Sequence, residues 1–212
     1  MFENPLKSLS NQKRLMGRPT AFDPQEKLHI AMKLFWRQGF EATSLQQLCD
    51  ELELNRFSIY NTFGDKRALF HLTLDHYLNT VIRRIAAPLL HDEAALEAVV
   101  EYLAGLSAVL CSEGGRVGCY VQNAGSEMGG VDELVQKKVD DWLRQLEMLL
   151  ARALVRARDN NGLRGDVDAE AAACYLVSVT QGLIALRRTC SRQCRVENAF
   201  TFLMQEVKGW AV

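Results

Sequence analysis

The chain has 212 residues, 48% of them hydrophobic and 24% charged, enough to bury a core in one or two domains. A formal net charge of -1 excludes a bulk polycation, so any affinity for nucleic acid has to come from a local basic patch. No charged n-region leads into an apolar stretch at the start, and no uninterrupted apolar run reaches the ~18–20 residues that cross a bilayer, so a cytoplasmic protein with no membrane partner is expected.

Residues 1–19 carry Lys7, Lys13, Arg14 and Arg18 with Glu3 as the only acid, which reads as a flexible basic arm. Asp23 and Pro24 are suited to open a helix whose apolar residues Leu28, Ile30, Ala31, Leu34 and Phe35 recur at helical spacing until Gly39. Thr43 or Ser44 can cap a second helix through Leu45, Leu48, Cys49 and Leu52, and Asn55 a third through Ile59 and Tyr60 to about Phe63. Gly64 stops the third, and Asp65 caps a longer fourth that runs from Lys66 towards Ala86, where Pro88 ends it.

Further helices are expected near Asp92 to Cys111, Val117 to Met128, Val131 to Asn160, Asp168 to Thr189 and Arg195 to Val207, punctuated by glycines. No alternating strand pattern with hairpin turns is present. The six cysteines are scattered through apolar helical patterns, which suits reduced thiols. The expected fold is all-α: a three-helix domain over 20–66, then a larger helical body over 67–212.

Two short capped helices joined by Glu53-Leu54-Asn55 make a helix-turn-helix, a shape that fits a DNA major groove. Ile59 and Phe63 point inward, which leaves Arg56, Phe57, Ser58, Tyr60, Asn61 and Thr62 to be shared between groove and solvent. Arg56 suits a bidentate contact to guanine and Phe57 a thymine methyl, while Tyr60, Thr43, Ser44 and Lys66 suit phosphate oxygens. Asn55 and Arg18 complete the candidate DNA-binding set.

The stretch from Gly17-Arg18-Pro19 through "AMKLFWRQGFEATSLQQLCDELELNRFSIYNTFGDKRALF" resembles the N-terminal domain of the TetR family of bacterial transcriptional regulators. The residues that carry the resemblance are Gly39-Phe40, Thr43-Ser44, Tyr60 to Phe63 and Lys66. Phe57 departs from the family, whose members often have a small residue there, and leaves the base preference open. The resemblance implies a homodimer on a pseudo-palindromic double-stranded DNA operator, and a C-terminal ligand-binding and dimerisation domain that responds to a small-molecule effector.

On that basis the last two helices form the dimer interface, with Ala171, Ala172, Ser178 and Gly182 allowing close approach and Phe200, Leu203 and Met204 supplying apolar area. Tyr102, Leu106, Leu110, Cys119, Gln122, Asn123, Trp142, Leu146 and Tyr175 are candidates for the effector pocket, an apolar lining with a few polar anchors. Each of them also suits a plain core position. Cys119, at a helix start beside Arg116, suits a thiol or electrophile sensor, and equally a packing residue. Cys190 and Cys194 are close enough in sequence to cross-link.

No Walker loop, dinucleotide fingerprint or Gly-x-Ser-x-Gly elbow is present, so no enzyme and no cofactor are expected. His71 and His76 diverge along one helix and His29 and His91 lie apart from any ligand set, so no metal is expected either. A repressor predicts selective, salt-dependent DNA binding, whereas a helical protein-interaction module on the same scaffold predicts none.

Overall fold

The computed structural model describes residues 22–189 and 193–212. Among the described residues the chain is helical without a strand, and one isolated β-bridge joins Leu163 to Ala211. The main helices are α1 (Pro24–Gln38), α2 (Leu45–Leu52), α3 (Arg56–Phe63), α4 (Lys66–Tyr77), α5 (Leu96–Cys111), α6 (Tyr120–Met128), α7 (Glu133–Asp159), α8 (Ala169–Thr189) and α9 (Gln193–Lys208). Arg18 and Cys190 lie outside the described residues, as does the side chain of Cys194.

Local chemistry starts these helices where the sequence places the caps. The Asp23 carboxylate accepts from the Gln25 amide at 2.9 Å with Pro24 in the first turn, and Asp65 accepts from Ala68 at 2.8 Å. The fourth helix is less regular than expected. α4 gives way to a π-helical turn over Leu78–Ile82, a three-residue helical turn at Arg83–Ile85 and a 3₁₀ turn over Ala87–Leu90 that takes up Pro88. α5 begins at Leu96, later than Asp92, and a 3₁₀ turn over Glu113–Val117 precedes α6.

Two compact units result. The first joins the chain up to Ile82 to Asn123–Gln136, and the second comprises Arg83–Gln122 and Lys137–Val212. The expected boundary at 66/67 is therefore displaced, because α4 packs along α1 and is part of the head. Phe70 of α4 meets Phe35 of α1 edge-on at 5.1 Å and Phe40 at 5.1 Å, with all three rings buried.

The same helix pair brings together two histidines that are distant in sequence, His29 Nδ1 and His76 Nε2, at 3.2 Å. Burial and the nearby Lys33 ammonium lower the pKa of His29 from its usual 6.5, and burial and His29 lower that of His76. The unfolded chain therefore takes up protons near pH 6.5 that the folded head resists. Stability is full above that pH and falls as acid is added towards the folded pKa values. Thermal melting between pH 7.5 and 5.5 is expected to show this loss, and His76→Gln to flatten it; an unchanged slope in the variant would refute the assignment.

In the second unit α5 packs along α9, and α8 contributes Ala173, Leu176, Val177, Leu183 and Ile184 to the core. Arg187 is 3% exposed, and its Nε donates at 2.7 Å to the Leu110 carbonyl, satisfying the C-terminal end of α5. α8 is apolar enough over an 18-residue window, with a mean hydropathy of 1.4, to pass as a membrane span by composition. That qualifies the expectation that no stretch of the chain reaches this length. Its composition has a simpler source, since one apolar face serves the core and another lies exposed.

Candidate nucleic-acid interface

The helix-turn-helix is built by short-range capping. Ser44 forms a capping box with Gln47, its hydroxyl accepting from the Gln47 amide at 3.1 Å while the Gln47 side chain accepts from the Ser44 amide at 2.8 Å. Glu53 ends α2 with φ 52, in the left-handed region, and the Leu54 amide returns to the Cys49 carbonyl at 3.0 Å. Asn55 then caps α3 through the Ser58 amide at 2.8 Å. Leu48, Cys49 and Leu52 seat α2, and Ile59 and Phe63 seat α3.

With those two anchors inward, α3 presents Arg56, Phe57, Tyr60 and Asn61 to solvent, and Ser58 and Thr62 are half-buried. Phe57 is 74% exposed and Tyr60 50% exposed, which is unusual for aromatic side chains beside a well-packed core. Ser44 is exposed at the start of α2. Thr43 is not available to phosphate: it is fully buried, and its hydroxyl donates to the Gly39 carbonyl at 2.6 Å. Asn55 spends its carbonyl oxygen on the cap. The Lys66 ammonium lies 4.3 Å from the centre of the Phe40 ring, held by a cation–π contact at the start of α4.

The candidate effector residues divide. Tyr102, Leu106, Leu110, Cys119, Trp142 and Leu146 are all buried within the second unit. Tyr102 is hydrogen-bonded to Thr180, and burial together with the neighbouring Cys119 pushes its phenol above the usual range. Gln122 donates to the Gln181 carbonyl at 3.0 Å, and Asn123 falls in the head unit. Tyr175 does not belong to this set, being 40% exposed with its hydroxyl donating to Glu206 at 2.7 Å. It lines a surface cleft of about 500 Å³ with Arg164 and Trp210 instead.

For the dimer face, Ala171, Ser178 and Gly182 are exposed on α8 with Cys174, Tyr175 and Leu186, and Ala172 is half-buried. An added Cβ at Gly182 would meet nothing within 4 Å, so that face of α8 is open. Phe200 and Leu203 are core residues at 0% and 1% exposure, and Met204 is half-buried. The outward aromatic of α9 is Phe202, 70% exposed, which the sequence pattern does not single out because both faces of "AFTFLM" are apolar.

Comparison with known proteins agrees with this geometry. A family model described as bacterial regulatory proteins, tetR family, matches residues 28–73, and one described as tetracyclin repressor-like, C-terminal domain, matches residues 87–203. The chain is 35% identical over 166 residues to the uncharacterized HTH-type transcriptional regulator YezE of Bacillus subtilis, covering 76% of this chain and 84% of that one. It is 35% identical over 112 residues to the HTH-type transcriptional repressor ComR of Escherichia coli, a match that spans about half of each chain, 52% and 53%. A solved structure of a cysteine mutant of the TetR family regulator CifR, complexed with 26bp double-strand operator DNA, superposes with a TM-score of 0.76 at 28% identity, covering 89% of this chain and 98% of that one.

Proposed function

The chain belongs to the tetR family of bacterial regulatory proteins, and on that footing we propose that it is a DNA-binding transcriptional repressor that works as a homodimer and responds to a small-molecule effector. The observation that carries the reading is α3 itself. Its inward side is fixed by Ile59 and Phe63, and its exposed side concentrates Arg56, Phe57, Tyr60 and Asn61 on one short helix. Two such helices in a dimer enter successive major grooves of a pseudo-palindromic operator. Ser44 and Lys66 sit at helix starts, where phosphate is favoured, and Tyr60 donates to the DNA backbone.

The effector site we propose lies among Tyr102, Leu106, Leu110, Cys119, Trp142 and Leu146, with Thr180 beside Tyr102 as a polar anchor. Such a lining suits a small, mainly apolar molecule with one hydrogen-bonding group. Cys119 joins this interior cluster at the start of α6 and is 7% exposed, so a thiol-directed signal reaches it only by entering the body.

Fluorescence anisotropy of the dimer on DNA from upstream of its own gene, against random duplex in a salt series, tests the reading. Tyr60→Phe is expected to weaken binding to both duplexes alike, whereas Arg56→Ala also relaxes preference at one base position, by about 1–3 kcal/mol for a lost bidentate contact. Equal losses on both duplexes for Arg56→Ala would remove its base-reading role. A mild thiol oxidant added to wild type and Cys119→Ser in the same titration decides between an effector-only regulator and a thiol sensor.

A further inference from the structure

The head unit is completed by a segment from far along the chain, Asn123–Gln136, and two carboxylates hold it there. Asp132, 6% exposed, accepts on Oδ2 from His71 Nε2 at 2.8 Å and from Arg67 Nη1 at 3.2 Å, both on α4. Its Oδ1 accepts from the amides of Leu134 and Val135 at the start of α7. Burial opposes the charge on Asp132, but the His71 and Val135 hydrogen bonds and the Arg67 charge outweigh it and hold the carboxyl below its usual range.

Glu127, near the end of α6, grips a different element. Its Oε2 accepts from the Phe40 amide at 3.0 Å and its Oε1 from the Glu41 amide at 2.9 Å. Both amides belong to the turn between α1 and α2. Gly39, just before them, has φ +88, and an added Cβ would come within 2.6 Å of Glu127 Oε2. The turn thus has a bare backbone at the point where the carboxylate enters. Two residues past Glu41, Thr43 pins the same turn through the Gly39 carbonyl, and Ser44 begins the helix-turn-helix. The clasp therefore acts on the segment that sets where α2 starts.

We propose that Glu127 is a positioning residue for operator binding. Its carboxylate fixes the α1–α2 turn and, through it, the approach of α2 and α3 to DNA. Glu127 is carried by α6, whose later part, from Asn123, belongs to the head unit together with the turn that it holds. Asp132 holds the neighbouring corner to α4 independently of that contact. The inference rests on the repressor reading and adds to it a residue outside the helix-turn-helix that steadies its start.

Glu127→Gln keeps one acceptor and turns an amide group towards a backbone N–H, and Glu127→Ala removes both acceptors. The probe is a duplex recovered by selection from random DNA on the wild-type dimer, read by anisotropy beside random duplex, with amide hydrogen exchange at Phe40 and Glu41. Operator affinity is expected to fall in the order Glu, Gln, Ala, by about 10-fold or more for Ala, with random-duplex affinity changing less. Exchange at the two amides is expected to quicken in the same order while the melting temperature stays near wild type. Faster exchange with unchanged operator affinity overturns the positioning role, and unchanged exchange overturns the clasp. If selection on wild type yields no preferred duplex, the repressor reading fails and the positioning role falls with it, an outcome distinct from a loss confined to the variants.

Discussion

Phe202→Glu is expected to leave a folded monomer that has lost its operator. Phe202 is 70% exposed on α9, which packs against α8, and the outward residues of α8 include Ala171, Cys174, Ser178 and Gly182. Small residues let a partner helix come close, and a large exposed aromatic is the kind of side chain that carries interface energy. With the twofold interface of the dimer placed on this face, a carboxylate here buries an unpaired charge on each side, and an uncompensated buried charge costs about 3–5 kcal/mol. Sedimentation velocity is expected to show a monomer at micromolar concentration. Operator affinity is expected to fall by about 100-fold or more, since each 1.4 kcal/mol is a factor of ten and a lone head keeps only one half-site. Phe200→Leu, at a position inside the subunit core, is expected to stay dimeric. A dimeric Phe202→Glu protein with wild-type operator affinity would place the interface elsewhere.

Phe70→Ala is expected to unfold the head. The ring is fully buried and sits edge-on to both Phe35 and Phe40, so the substitution leaves a cavity where two aromatic partners lose contact. A buried Phe→Ala change costs about 3–5 kcal/mol, a large share of the ~5–15 kcal/mol that stabilises a typical domain. Circular dichroism on heating is expected to show a new early transition, and DNA binding is expected to be lost on every sequence. Phe70→Leu, which keeps most of the volume, is expected to restore both in large part. A single wild-type transition in Phe70→Ala would show that the aromatic trio does not hold the head together.

The parts of the fold legible in the sequence are those decided within a few residues. Asp23, Asn55 and Asp65 cap the helices they precede because each side-chain oxygen reaches an amide two or three positions on. The choice between Thr43 and Ser44 was not legible: both have the right hydroxyl, and only the path of the chain at Gly39 decides which one is turned inward. On α9 the phase was ambiguous, since Phe200, Phe202 and Leu203 are all apolar and packing against α5 selects two of them for the core. On α8 Ala171, Ser178 and Gly182 lie exposed while Ala172 is half-buried, and Tyr175, whose apolar ring suits a pocket lining in the sequence, is held at the surface by Glu206.

The contacts that complete the head left no trace in the pattern. Glu127 and Asp132 look like ordinary solvated acids in "NAGSEMGGVDELVQ", and nothing local indicates that one will meet the amides of Phe40 and Glu41 and the other His71. Likewise His29 and His76 show no spacing that would pair them. No proline or glycine marks the π-helical turn after Tyr77.

The sequence separation of 87 between Phe40 and Glu127 also bears on how the protein is made. A ribosome adding about 5–20 residues per second delivers the last acceptor for the α1–α2 turn some 4–17 s after the turn itself. During that interval the nascent helix-turn-helix has its caps and its aromatic core but lacks the two carboxylates that steady its edges. Completion of the DNA-reading end is thus tied to synthesis of the middle of the chain, and a fragment cut at Ile82 carries the reading helix and its aromatic core without Glu127 and Asp132.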